Sequence, residues 1–88
     1  MIDYTKLPQH YRKQMKRYIE KGTLPNEFLM AIISNNLILS FSYAHSRDNI
    51  ETYVSFMIHE TPSLCYGSVN AMKEWAENGG LSGMTKDK

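Results

Sequence analysis

Cysteine is nearly missing from this 88-residue chain, and so are long apolar runs. Cys65 is the single cysteine, which excludes an intramolecular disulfide, and no Cys/His cluster has the spacing of a metal site. The longest apolar stretches break at residues 34–36, short of the roughly 20 apolar residues that a membrane span needs. Asp3 and Lys6 interrupt the start, so we expect no secretory signal. These absences favour a small domain in a reducing cytoplasm, with no membrane span and no metal.

Charge is unevenly distributed along the chain. Residues 1–22 hold six basic and two acidic side chains, a net +4, whereas residues 23–88 hold four basic and seven acidic ones, a net −3. A basic first helix on a mildly acidic body predicts an anionic partner, although such faces are also found simply solvated. The acidic remainder argues against a nucleic-acid duplex wrapping the chain. Nucleic acid therefore ranks as a third possibility, without a recognisable binding motif.

The spacing of apolar residues predicts an all-α fold, a compact domain of about four helices with a central apolar second helix. The first helix runs from Pro8 to residue 21 and stops at Gly22. Its apolar stripe is expected to be buried and comprises Tyr11, Met15, Tyr18 and Ile19. The second helix runs over residues 25–43 and is apolar almost all round, so we expect other helices to surround it.

Capping residues predict the remaining helices. Ser46 is expected to cap a third helix that Pro62 ends, and Ser68 a fourth helix that ends at residues 78–80. Residues 1–80 then form a single helical domain with Phe28 and Trp75 in one core, and residues 81–88 a loose C-terminal tail. Six Met, six Tyr and the apolar second helix in so small a domain predict a homo-oligomer, most simply a dimer.

The loop before the fourth helix is the best local candidate for a ligand site. The first N–H groups of a helix favour anions, so Gly67 and Ser68 are candidates for binding a phosphate. Gly67 also permits close approach to the backbone, and Tyr66 offers a ring for stacking. The same Gly-Ser pair is also an ordinary helix cap, and both interpretations stay open.

Four further residues complete the candidate ligand site. Arg12 carries a planar fork suited to phosphate, and His10 is a neighbouring hydrogen-bonding group. Tyr11 either stacks on a base or packs in the core. Asn35 either reads the edge of a base or ties the loop to the core, because a buried amide needs a partner.

Catalytic patterns are weak in this sequence. His10, His45 and His59 lie on separate predicted elements, and no spacing joins them to Cys65 or to carboxylates as a catalytic pair or metal site. We therefore expect a protein that is not an enzyme and that has no cofactor.

A longer pattern of residues extends over most of the chain in the order LPxHxR, YIExG, PxxFLxAxxxN, a later Asn, PxxCxGS and a Trp. Its members here are Leu7, Pro8, His10, Arg12, Tyr18, Ile19, Glu20, Gly22, Pro25, Phe28, Leu29, Ala31, Asn35, Asn49, Pro62, Cys65, Gly67, Ser68 and Trp75. The pattern resembles a group of small phage- and prophage-encoded proteins. The chain departs from it at Asn36, where an acid is expected, at residues 26–27, where a glycine is usual, and at Tyr66, where Trp is common.

The resemblance implies a phage accessory protein acting in the host (bacterial) cytoplasm, but it supplies no ligand. We hypothesise a counter-defence protein, a sponge that sequesters a nucleotide-derived immune signal by binding alone. The alternative is an inhibitor that occupies a host or phage protein through its basic first helix.

Overall fold

The computed structural model describes residues 2–45 and 48–85, and these form an all-helical chain. Within these ranges there are six α-helices, namely α1 (Gln9–Lys21), α2 (Glu27–Ile33), α3 (Leu37–Tyr43), α4 (Ile50–Glu60), α5 (Val69–Glu77) and α6 (Gly80–Thr85). Single turns of 3-10 helix at Tyr4–Lys6 and Ser63–Cys65 precede α1 and α5. The predicted all-α class is confirmed, with more helices than the four expected. In these ranges no helix is long and apolar enough to cross a membrane.

Helix α1 follows its predicted pattern closely. Pro8 occupies its N-cap position, and Gly22 ends it in a left-handed conformation with φ of 80°. The Gly22 N–H donates to the carbonyl of Tyr18 at 2.9 Å, which satisfies one of the carbonyls left free at a helix end. The buried side chains of the helix are the four predicted ones, Tyr11, Met15, Tyr18 and Ile19.

The predicted second helix is in fact two helices, and its expected continuity through residue 43 is wrong. Asn35 adopts a left-handed conformation with φ of 62°, which stops α2 at this point. Asn36 then caps α3, because its side-chain oxygen accepts a 3.0 Å hydrogen bond from the N–H of Leu39. Asparagine tolerates the left-handed region and competes for backbone N–H groups, so the two amides break the helix that the apolar pattern predicted. Only the first half, α2, lies in the core.

The later helices begin at capping side chains. Ser68 caps α5 as predicted, accepting a 3.0 Å bond from the N–H of Ala71. Helix α4 is capped by Asn49, whose side chain accepts a bond from Glu51, and the predicted cap Ser46 lies outside the described residues. The predicted loose tail also differs, because residues 80–85 form α6 and Leu81 packs partly buried against the core. Residues 86–88 of that tail lie outside the described part.

One core joins α1, α2, α4 and α5. Phe28 and Trp75 belong to the same buried cluster, as predicted. The indole N–H of Trp75 lies 3.2 Å from the carbonyl oxygens of both Tyr18 and Ile19, which connects α5 to the end of α1. Among the described residues, no buried side-chain nitrogen or oxygen lacks a hydrogen-bond partner. The core is therefore apolar, with its polar atoms satisfied.

Candidate functional site

Arg12 binds the backbone that leads into its own helix. Its Nε donates a 2.8 Å hydrogen bond to the carbonyl of Leu7, and one terminal nitrogen donates a 3.3 Å bond to the carbonyl of Thr5. A guanidinium has five N–H donors in a fixed fork, and these contacts orient that fork toward the residues preceding α1. The structure therefore gives Arg12, predicted to bind phosphate, a local structural role.

Tyr11 and His10 also make contacts within the chain. Tyr11 is 8% exposed, and its ring centroid lies 5.7 Å from that of Phe28 and 5.9 Å from that of Tyr53. Tilted and edge-to-face aromatic pairs of this kind stabilise a core, so the ring of Tyr11 is packed on protein and is not presented to solvent. The Nε2 of His10 lies 3.4 Å from Oδ1 of Asp48, whose side chain is fully shielded.

Asp48 is the centre of a small polar network beneath His10. Its Oδ2 accepts a 2.9 Å hydrogen bond from the backbone N–H of His45, and its Oδ1 lies 3.4 Å from the hydroxyl of Tyr53. A shielded carboxylate needs such partners because an unpaired buried charge is costly. The network fixes the chain just before α4. Sequence reasoning missed its contact with His10, because His10 lies on α1, far from Asp48 in the chain.

Three of the seven predicted site residues lie together elsewhere. Asn35, Tyr66 and Gly67 line one cleft of about 190 Å³, together with four apolar residues, Ile32, Val54, Met57 and Ile58. Asn35 comes from the break between α2 and α3, and the other two come from the loop before α5. The cleft therefore brings three of the predicted residues together, and His10, Tyr11 and Arg12 do not line it.

Backbone hydrogen bonds position this cleft, whose two rims come from distant segments. The N–H of Gly67 donates a 2.8 Å bond to the carbonyl of Ile33, which connects the loop to the last residue of α2. The N–H of Asn35 donates a 3.1 Å bond to the carbonyl of Ile32. Gly67 has a φ of 120°, which residues with a Cβ rarely adopt. Ser68 uses its hydroxyl to cap α5 and does not line the cleft.

Behind the cleft, the loop is anchored to the core through Cys65. Its side chain is buried, and burial raises the pKa of the thiol above the usual range. A neutral, buried thiol is a poor nucleophile, so Cys65 acts here as an apolar side chain. The half-buried Tyr66 follows it directly and projects into the cleft from this fixed point.

The chemistry of the cleft suits a flat ring better than a phosphate. Its seven lining residues are uncharged, and they offer one aromatic ring, one primary amide and one glycine backbone. An aromatic ring stacks on a base, and an amide can donate and accept at a base edge. The volume is small beside the roughly 300–1,000 Å³ of a typical ligand pocket. The cleft is therefore large enough for part of a nucleotide only.

A second cleft of about 640 Å³ lies between the N-terminal segment, α1 and α6. Glu20 accepts a 3.0 Å hydrogen bond from the hydroxyl of Tyr4, and Glu60 forms an ion pair with Lys6. That pairing lowers the pKa of Glu60 and raises the pKa of Lys6. Both carboxylates have partners within the chain, and these two contacts hold the N-terminal segment against α1 and the end of α4.

A large apolar surface covers α3 and the outer side of α4, and we refer to it as the α3–α4 face. It consists of exposed side chains from the two helices, namely Leu37, Ile38, Leu39, Phe41, Tyr43, Val54 and Ile58. A groove of about 800 Å³ runs along it, lined by Phe41 and Val54 among others. Val54 and Ile58 also line the cleft of Asn35, so the face and the cleft are continuous.

In the described ranges, no group of three or more His, Cys, Asp or Glu side chains could hold a metal ion. Comparison of the chain with family models, curated proteins and solved structures finds no match.

Proposed function

We propose that this chain is a phage counter-defence protein that binds a nucleotide-derived immune signal and keeps it from its receptor without altering it. The observation that supports this proposal is the convergence of Asn35, Tyr66 and Gly67 on one uncharged cleft. Tyr66 would stack on a base, the amide of Asn35 would pair with its edge, and the backbone at Gly67 would lie against it. Sequestration requires affinity alone, so these groups suffice for the base.

The phosphates of such a signal would need cations from outside the cleft. Helix α1 exposes a row of basic side chains, Lys13, Lys16, Arg17 and Lys21. Lys13, Arg17 and Lys21 are exposed to solvent and available to an anion, whereas the ammonium of Lys16 lies 5.9 Å from the ring centroid of Tyr4. The guanidinium of Arg12 is directed at backbone carbonyls. We therefore place the base in the cleft and assign the phosphates to the basic face of α1, supplied by a second chain in a homo-oligomer.

A thermal-shift screen tests this function directly. The panel contains cyclic dinucleotides, cyclic trinucleotides, ADP-ribose derivatives and short DNA. A ligand at one hundred times its Kd stabilises the folded state by about 2.7 kcal/mol, so a true ligand raises the melting temperature clearly. A chain that none of the small molecules stabilises would contradict the proposal. Stabilisation by DNA alone, lost steeply with salt, would favour nucleic-acid binding instead.

Variants of the cleft then connect binding to the residues. Loss of one stacking ring costs about 1–3 kcal/mol, so Tyr66→Ala is expected to weaken binding by roughly 5- to 150-fold in calorimetry. Tyr66→Phe keeps the ring and should bind nearly as the wild type does. Leu64→Ala is the matched control, because Leu64 is an exposed residue of the same loop and does not line the cleft. Equal binding by Tyr66→Ala and Leu64→Ala would exclude the cleft as the site.

The basic face of α1 favours a second candidate function, inhibition of a bacterial or phage protein with an acidic surface. Lys13 and Arg17 are exposed on the same side of α1, one helical turn apart. The test is capture of a partner protein by the wild type, by the double variant Lys13→Glu with Arg17→Glu, and by the control Lys73→Glu. Capture by the wild type and the control, with loss of capture by the double variant, would support this function. In that case no small molecule of the panel would raise the melting temperature of the chain.

A further inference from the structure

Helix α3 is oriented opposite to an ordinary surface helix. Its buried residue is the polar Ser40, which is 2% exposed and donates a 2.7 Å hydrogen bond to the carbonyl of Asn36. Its outward side chains include Leu37, Ile38 and Phe41, which are 63%, 81% and 64% exposed. Surface helices normally turn their apolar stripe to the core and their polar side to water. In α3 the apolar side chains are left without protein contact on their outer side.

The area of this surface is large for a chain of this size. Five large apolar side chains of α3 are between 41% and 81% exposed. Taking each as comparable to the smaller aromatic side chains, roughly 150–200 Å², these fractions amount to on the order of 500 Å². Val54 and Ile58 on α4 extend the same surface toward the cleft. The largest apolar patch on a typical monomer is about 300–600 Å² and is often functional, whereas a standard interface covers about 800 Å² on each partner. The exposed side chains lie around most of the short helix α3, so the α3–α4 face has the size of a functional apolar patch and supplies part of one half of such an interface.

We propose that a second copy of this chain covers the α3–α4 face and closes the open side of the cleft formed by Asn35, Tyr66 and Gly67. The self-association follows from the face alone, and only the closing of the cleft rests on the proposed function. The seven side chains of the face are uncharged, and residues 28–46 of the sequence contain no Lys, Arg, Asp or Glu. Charge is confined to one end of the groove, where Glu51 is exposed, so a basic partner would have little to pair with. Two identical apolar faces can bury the side chains of α3 against each other while this carboxylate stays at the rim.

The small volume of the cleft supports the same partner. At about 190 Å³ it is below the size of a typical ligand pocket, and its wall residues Val54 and Ile58 belong to the face that the second copy would cover. A neighbouring chain placed on this face adds a wall on the open side. It also brings a basic α1, with its exposed Lys13 and Arg17, within the same assembly as the uncharged cleft.

The mass of the chain in solution tests the proposal. Light scattering and sedimentation at micromolar concentration are expected to give at least twice the 10.2 kDa of one chain. Ile38→Asp and, separately, Leu37→Gln should return the mass to that of one chain with unchanged far-UV circular dichroism. Leu24→Asp is the control, an exposed apolar residue between α1 and α2 outside the face, and should keep the wild-type mass. A monomeric wild type, or an unchanged mass in both face variants, would overturn the proposal.

The ligand panel separates this inference from the proposed function. If the second copy closes the cleft, Ile38→Asp should lose the ligand-induced rise in melting temperature together with the assembly. A monomeric wild type that still binds a ligand through Tyr66 would overturn the second copy and leave the proposed function standing. If both face variants lose the assembly and no ligand stabilises the wild type, the proposed second copy is supported and the proposed function is contradicted. A monomer that floats with lipid vesicles would overturn the second copy in favour of a lipid surface.

Discussion

The hydroxyl of Tyr18 donates a 2.7 Å hydrogen bond to the backbone carbonyl of Cys65, and both residues are fully buried. Tyr18 lies in the middle of the apolar stripe of α1, and Cys65 directly precedes the two loop residues of the candidate cleft. The bond therefore connects the most regular helix of the fold to the segment that carries Tyr66 and Gly67. It provides a buried polar carbonyl with a partner and sets the depth at which the loop lies.

Removal of this bond should reduce both stability and ligand binding. Tyr18→Phe leaves the carbonyl of Cys65 without the tyrosine donor, and an unsatisfied buried acceptor costs about 1–3 kcal/mol. We expect a loss of that size in urea unfolding followed by circular dichroism. The control is Thr23→Val, since Thr23 is exposed between α1 and α2, outside the α3–α4 face, and should lose almost nothing. Equal stability of the two variants would show that the bond contributes little.

Alkaline pH should destabilise the protein through two tyrosines that the fold shields, the buried Tyr18 and the half-buried Tyr4. Burial raises the pKa of both Tyr4 and Tyr18 from the ordinary value of 10.0, and the carboxylate of Glu20 adds to the effect at Tyr4. In the unfolded chain these hydroxyls ionise near pH 10, whereas in the folded chain they keep their protons. Their stabilising contribution is therefore complete below about pH 10 and is lost as the pH rises above it.

Urea unfolding at a series of alkaline pH values measures this effect. Tyr18→Phe removes one of the two groups, so its stability should fall less steeply with pH than that of the wild type. The absorbance of the native protein should show that part of its six tyrosines ionise only at higher pH. Ionisation of all six near the ordinary pKa, with the fold intact, would contradict the assignment.

Two glycines should respond differently to the same substitution. A Cβ on Gly80 would lie 2.5 Å from the carbonyl oxygen of Ile19 and 2.8 Å from the nitrogen of Gly22, both backbone atoms that cannot move aside. A Cβ on Gly67 would meet nothing within 4 Å. Each glycine has a positive φ, which costs roughly 1–3 kcal/mol for another residue. Gly80→Ala should therefore lose more stability than Gly67→Ala, because only the Gly80 variant adds a clash between α6 and α1.

The comparison is made by melting temperature on the two purified variants. Gly67→Ala should keep the native circular dichroism with a moderately lower melting temperature. A smaller loss for Gly80→Ala than for Gly67→Ala would show that α6 does not approach the end of α1 as closely as described.

Arg12 should behave as a structural residue. Arg12→Ala removes two hydrogen bonds from a charged donor to the carbonyls of Leu7 and Thr5, at about 1–3 kcal/mol in total for a partly buried group. Arg12→Lys keeps the charge and loses the planar fork, so it should be destabilised to a similar extent. The exposed neighbour Lys13 gives the control Lys13→Ala, which is expected to be neutral in thermal unfolding. If Arg12→Ala is as stable as this control, Arg12 has no structural role and is again a candidate for binding an anion.

Local sequence signals were sufficient to predict much of the secondary structure. The apolar stripe of Tyr11, Met15, Tyr18 and Ile19, the stop at Gly22 and the cap at Ser68 were predicted because each depends on residues within one or two helical turns. The all-α class follows from the same local signals. Capping also explains the failure at residues 34–36, where two asparagines break a helix that the apolar pattern alone would continue.

The candidate site depended on the tertiary structure. The sequence predicted one ligand site from seven residues, and packing of the loop against the end of α2 brings only Asn35, Tyr66 and Gly67 of these to one cleft. Packing likewise turned Tyr11 into the core and Arg12 toward the backbone, which no spacing in the sequence could indicate.

An apolar residue in a sequence predicts burial without saying what buries it. The composition of residues 25–43 therefore indicates by itself that an apolar surface exists and that asparagines interrupt it. Only the tertiary structure decided that α2 is covered by the chain itself while α3 turns Ser40 inward and Ile38 outward. The physical reason is that burial depends on which elements are free to pack, and an 88-residue chain has too few helices to cover every apolar face it carries.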